Sequence, residues 1–129
     1  MTQHLGPAEH QELRALLLAR RAGLMAQRDA HRAGRTRSEQ ARDLLLQDAD
    51  DAPQRDADRE VDLAMADREA VGLLATEAAL ERLDQGSYGL CSDCGTDIPL
   101  ARLRLSPTAL RCVACETRQE RLQPRTASL

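Results

Sequence analysis

The chain has 129 residues and 14.2 kDa, 30% of them charged, and its 42% hydrophobic share contains no Phe, no Trp and one Tyr. Aromatic side chains bury the most area per residue, so a large globular core is excluded, and with it a sandwich, a barrel or a parallel-sheet enzyme. Eighteen basic against 21 acidic residues give a net charge of −3; every basic residue is Arg, which removes catalytic-lysine chemistry, and an acidic chain binds phosphate backbones poorly.

The charge is unevenly spread. Residues 1–40 hold seven Arg and four acids, residues 41–70 hold four Arg and ten acids, and residues 71–129 hold seven of each. One acidic block, Asp43 to Glu69, therefore occupies the middle of the chain. No stretch approaches the ~20 apolar residues of a membrane span, and the N-terminus lacks a signal-peptide pattern. These features predict a cytoplasmic protein, a compartment where paired cysteines are more often metal ligands than disulfides.

Residues 1–9 are set apart as a loose N-terminus before the arm, with 1–6 outside any helical pattern and the first helical turn beginning at Pro7. Pro7, Glu9 and Glu12 suit a first helical turn, and Leu13, Leu16, Leu17, Leu24 and Met25 mark one face of a helix. Ala22, Ala26, Ala30 and Ala33 extend it as a thinner seam. Gly34, followed by the capping-box pair Thr36 and Glu39, predicts a break and restart.

Asp48-Ala49-Asp50-Asp51-Ala52-Pro53 predicts a turn, with Asp51 capping a second helix and Pro53 in its first turn. Leu63, Ala66, Ala70, Leu73, Leu74, Leu80 and Leu83 then form the stripe of that helix, and Gly86 ends it. Two long helices joined by a short acidic turn fold back as an antiparallel pair, because neither buries its stripe alone.

All four cysteines follow in one window, as Cys91-Ser92-Asp93-Cys94 and Cys112-Val113-Ala114-Cys115, separated by seventeen residues. Two C-x-x-C units at this separation match a structural tetrahedral Zn²⁺ site. Gly95 permits the positive-φ turn that such a knuckle needs. Disulfide pairing is a weaker alternative, as is redox C-x-x-C chemistry, for which the accompanying βαβ pattern is missing. Four thiolates leave no open position for hydrolysis, so the zinc is expected to be structural. A short hairpin is predicted over 96–111 and a short helix after Cys115. His4, His10 and His31 lie far from the cysteines and read as surface or helix-face residues. Tyr88 reads as packing beside the knuckle. No Ser/His/Asp constellation, P-loop or dinucleotide pattern appears, and no enzymatic activity is expected.

The fold class expected is mainly α: a helical-hairpin coiled-coil arm over 10–86 with its acidic tip near 48–53, a four-Cys zinc-finger module with a C-terminal helix over 87–122, and a tail over 123–129. Gly86-Ser87-Tyr88-Gly89-Leu90-Cys91-Ser92-Asp93-Cys94-Gly95, then Ile98, Arg102-Leu103, Pro107, Cys112 and Cys115, resembles the zinc-finger signature of the DksA/TraR family, and the resemblance covers roughly residues 10–120. It implies a monomeric bacterial transcription regulator that binds RNA polymerase through the secondary channel, with no sequence-specific DNA contact. The resemblance also implies a tip that acts near the polymerase active site.

The family's paired tip carboxylates fall on Asp48 and Asp51, with Pro53 where the family has Ala; Asp56 and Asp58 are the competing tip pair if the turn is shifted. Arg68 and Arg102 are the remaining ppGpp or polymerase contacts. The resemblance implies regulation of the stringent-response type; Ala75, Ser106 and Glu116 stand where the family's ppGpp-responsive members are basic, which implies weak or no ppGpp synergy. The short leader before the arm implies a shortened relative. The residues themselves leave two other readings: a zinc-stapled coiled-coil adaptor for another partner, and a DNA-binding zinc protein.

Overall fold

The computed structural model describes residues 4–45 and 52–123. The described residues form four helices: α1 (Pro7–Leu45), α2 (Ala52–Gln85), α3 (Leu100–Leu105) and α4 (Val113–Leu122). Among them no strand forms; a single antiparallel bridge joins Leu90 and Asp97. The mainly helical class is as the composition requires.

The chain divides into two compact units, one of Met1–Leu18 with Thr76–Leu129, the other of Ala19–Ala75. The first unit holds the core. Leu13 and Leu17 of α1 pack with Ala79, Leu80 and Leu83 of α2, and the cluster continues through Leu5, Tyr88, Cys91, Ile98, Leu103 and Cys115. Arg14 pairs with Asp84 at 2.8 Å, and Glu12 with Arg104 at 2.7 Å.

In the second unit the two helices run antiparallel. Leu24 lies against Gly72, His31 meets Asp62 and Glu69 at 3.2 and 3.6 Å, and Arg42 meets Asp58 at 2.7 Å. Partners on α2 thus descend in number as those on α1 ascend. Gly72 leaves room for the close approach: a Cβ there would sit 3.3 Å from Leu24 Cδ1.

The seam on α2 follows Asp62, Ala66, Glu69, Leu73, Thr76, Leu80 and Leu83, each buried or half-buried. This alternation of four and three residues is the spacing of a two-helix seam. It corrects the apolar stripe in detail, because Leu63 and Leu74 are 61% and 67% exposed while Glu69 is 9% exposed. On α1, Leu16 and Met25 are exposed, as are Ala22, Ala26, Ala30 and Ala33; Leu24, Arg28 and His31 take the less exposed positions. The seam follows the face that the partner helix covers, and polar side chains occupy part of it.

Three other expectations change. The predicted break at Gly34 is absent, since α1 runs through it. Thr36 does not cap; its hydroxyl donates to the Arg32 carbonyl at 3.0 Å, a one-turn back-bond available inside a helix. The start of the chain is not loose from His4 onward: Leu5 is buried, and His4 Nε2 donates to the Ile98 carbonyl at 2.8 Å. A hairpin over 96–111 gives way to α3, introduced by Pro99, whose carbonyl accepts from Arg102 and Leu103.

Gly86 ends α2 with φ +80°. Ser87 N–H donates to the Arg82 carbonyl at 3.0 Å and Gly86 N–H to Leu83 at 3.4 Å, the paired bonds of a Schellman cap. That cap turns the chain out of the helix two residues before Tyr88.

Candidate metal centre

The first knuckle is built on backbone bonds. Gly95, at φ +74°, donates its N–H to the Cys91 carbonyl at 3.0 Å, and Cys91 N–H reaches Thr96 at 2.8 Å. Below it, Gly89 takes φ +87°, and Ile98 N–H donates to its carbonyl at 2.7 Å. A Cβ at Gly89 would stand 2.9 Å from Leu5 Cδ1, the end of a side chain, so the positive φ is the main reason for glycine there.

The second knuckle is the entry to α4. Cys112 precedes the helix, and its carbonyl accepts from Glu116 N–H at 2.9 Å, which places Cys115 one turn inside. Ser92 N–H donates to the Leu110 carbonyl at 2.8 Å and joins the two knuckles.

The result is a compact tetrad. The four sulfurs all lie within 4.8 Å of one another, and Cys94 Sγ is 3.8 Å from Cys112 Sγ. A tetrahedron with Zn–S bonds of about 2.3 Å has edges of about 3.8 Å, so the donor set and its size fit one Zn²⁺. The ion would be closed off by four protein ligands and would act as a structural clamp. Cys91 and Cys115 are buried, Cys112 is half-buried and Cys94 is exposed.

The thiols differ electrostatically. Burial raises the Cys91 pKa, but N–H donors from Cys94, Cys112 and Asp93 outweigh it and bring it to about 6. The Thr96 hydroxyl, 2.9 Å from Cys94 Sγ, lowers that thiol as well. Cys115 is pushed up to about 12 by its neighbour Cys112 and by burial. Deprotonation is thus easiest at Cys91, and a bound cation is what favours it at Cys115.

Charged residues surround the sulfurs. Arg118 Nη2 donates to Cys115 Sγ at 3.6 Å. Arg111 Nε donates to Asp93 at 2.9 Å and its Nη1 to Glu116 at 3.4 Å, while Arg102 Nε donates to the Arg111 carbonyl at 3.1 Å. Tyr88, fully buried, donates its hydroxyl to the Pro107 carbonyl at 2.7 Å, in keeping with the packing role read from the sequence.

Of the other residues singled out from the sequence, Asp48 and Asp51 lie outside the described residues, as do the side chains of Pro53 and Asp56. Pro53 does fall in the first turn of α2. Arg68 is exposed on α2 in the second unit, and Arg102 is half-buried in the first. The contacts of Arg111 and Arg118 were not anticipated. The signal available was the presence of Asp93, Arg111 and Glu116 inside or beside the two C-x-x-C units.

Residues 86–121 match the family described as "Prokaryotic dksA/traR C4-type zinc finger". The chain is 38% identical over 74 residues to the RNA polymerase-binding transcription factor DksA of Caulobacter vibrioides, an overlap covering 57% of this chain and 52% of that protein. It thus spans about half the length of the curated relatives it matches. The solved structure of transcription factor DksA2 from Pseudomonas aeruginosa is similar over 89% of this chain and 85% of its own, with 35% identity and a TM-score of 0.76. A Chlamydia trachomatis structure, titled as the RNA polymerase binding protein and transcriptional regulator Dks, shares the fold at 23% identity and a TM-score of 0.55, over 93% of this chain and 99% of its own. With two antiparallel helices, a C4 zinc module that follows them and this likeness across most of its length, the chain belongs to the DksA/TraR family.

Proposed function

We propose that this chain is a non-enzymatic transcription regulator that binds RNA polymerase, entering its secondary channel with the acidic segment between α1 and α2. The observation that carries the reading is the likeness to DksA2 over 89% of the chain, which spans both helices as well as the zinc module. Charge supports it: residues 41–70 hold ten acids against four Arg, and carboxylates interact strongly with basic and metal-bearing surfaces in a confined, weakly screened channel. Asp48 and Asp51 are the proposed acting carboxylates, with Pro53 stiffening the start of α2. The protein works as a monomer in the cytoplasm.

A DNA-binding role is disfavoured by the arginines of the zinc module. Arg104 is held by Glu12, Arg111 by Asp93 and Glu116, and Arg102 by a backbone carbonyl, which commits most of the module's described arginines to partners within the chain and not to phosphates.

The deciding experiment pairs binding to purified RNA polymerase with in vitro transcription from a ribosomal RNA promoter. The wild type is expected to bind and to change transcript yield, and Asp48→Asn with Asp51→Asn is expected to bind nearly as well while losing the effect. Absence of polymerase binding overturns the proposal; salt-sensitive gel shifts of DNA without polymerase would favour the DNA-binding reading.

A further inference from the structure

We propose that Arg111 is a positioning residue that straps the two cysteine knuckles together and thereby sets the zinc affinity of the module. It precedes Cys112 in the second knuckle, yet its guanidinium reaches Asp93, which lies between the two cysteines of the first, at 2.9 Å. The same guanidinium reaches Glu116, which follows Cys115, at 3.4 Å. One side chain therefore connects the interior of the first C-x-x-C unit to both ends of the second.

The strap is itself held. Its backbone carbonyl accepts from Arg102 Nε at 3.1 Å, and the Arg111 and Asp93 side chains are only 26% and 29% exposed. Partial shielding and a forked donor favour such a pair over an open surface contact, where long side chains lose entropy and salt screens the attraction.

Two consequences follow for the metal. First, the knuckles are seventeen residues apart in sequence, and any contact that holds them together reduces the ordering that the ion must otherwise impose. Second, four thiolates around Zn²⁺ carry a formal net charge of −2. Asp93 and Glu116 add two more negative charges within one or two residues of ligating cysteines. Arg111 offsets those carboxylates, while Arg118 donates directly to Cys115 Sγ at 3.6 Å. Contacts around metal ligands of this kind typically affect metal affinity by about 10–100-fold.

The test is competition for zinc between the full-length protein and a chromogenic chelator, with far-UV ellipticity recorded on each variant. Arg111→Leu is expected to weaken zinc binding by about ten-fold or more, while one zinc per chain still binds at saturation. Arg111→Lys, which keeps the charge but not the fork, should recover part of that loss. Asp93→Asn should weaken binding less than Arg111→Leu, and the double variant should bind zinc no more weakly than Arg111→Leu alone, because both changes remove one contact and the second also removes the carboxylate that Arg111→Leu leaves uncompensated. If Arg111→Leu fails to fold, Asp93→Asn and Glu116→Gln read the same strap from its acceptor side and should each weaken binding. Wild-type affinity in Arg111→Leu, strict additivity with Asp93→Asn, or undiminished affinity in both acceptor variants overturns the proposal. Failure of the wild type to bind zinc would instead overturn the metal centre itself.

Discussion

Tyr88 is the only aromatic residue of the chain and sits fully buried in the core beside the zinc module, its hydroxyl 2.7 Å from the Pro107 carbonyl. Burial raises its pKa from the ordinary 10 to about 12, with Arg82 opposing part of the rise. Because the folded-state value lies above the unfolded one, the stabilisation from the neutral phenol is complete below pH 10 and is lost as pH rises toward 12. Two pKa units correspond to about 3 kcal/mol. The loss is therefore expected to be well under 1 kcal/mol at pH 9 and to approach that figure near pH 12. The assay is guanidinium unfolding of the zinc-loaded protein across this range, with tyrosinate absorbance followed in parallel, since every tyrosine signal comes from Tyr88.

Tyr88→Phe supplies the control. It removes the hydroxyl and leaves the Pro107 carbonyl without that donor, which should cost about 1–3 kcal/mol at neutral pH. It should also flatten the alkaline decline relative to the wild type. Tyrosinate forming near pH 10 with helicity intact would refute the argument, as would wild type and Tyr88→Phe declining in parallel.

Other outcomes are expected. Cys112→Ser should abolish stoichiometric zinc, measured by atomic emission, and remove metal-linked stability on the order of 10 kcal/mol from the module; unchanged metal content and melting temperature would contradict the tetrad. Leu17→Ala, at a fully buried core position, should lower unfolding free energy by about 2–5 kcal/mol, whereas Leu16→Ala, at 40% exposure, should cost far less. In transcription assays ppGpp should potentiate the protein weakly or not at all, because Ala75, Ser106 and Glu116 are non-basic and Arg102 is engaged with the Arg111 carbonyl; strong potentiation would refute this.

The metal ligands were legible because C-x-x-C is a local pattern whose chemistry admits few alternatives. The end of α2 was legible for a similar reason: Gly86 is the residue that takes φ +80° without a steric penalty. Thr36 misled because the same hydroxyl that caps a helix start also back-bonds within a helix, and only the continuous path of α1 distinguishes the two. Glu69 and Thr76 were missed as seam positions because polarity suggested solvent, although they keep the four-and-three spacing.

The sequence by itself determined the helical class, the two-helix pairing and the zinc ligand set, since each rests on short-range spacing between residues or on the absence of large aromatic side chains. Only the tertiary structure decided which leucines are covered, that Leu5 joins the core while His4 bonds the Ile98 carbonyl, and that Arg111 reaches across to Asp93. Those outcomes depend on which surfaces meet after residues far apart in the chain are brought together, and no local periodicity encodes the direction from which a partner surface arrives.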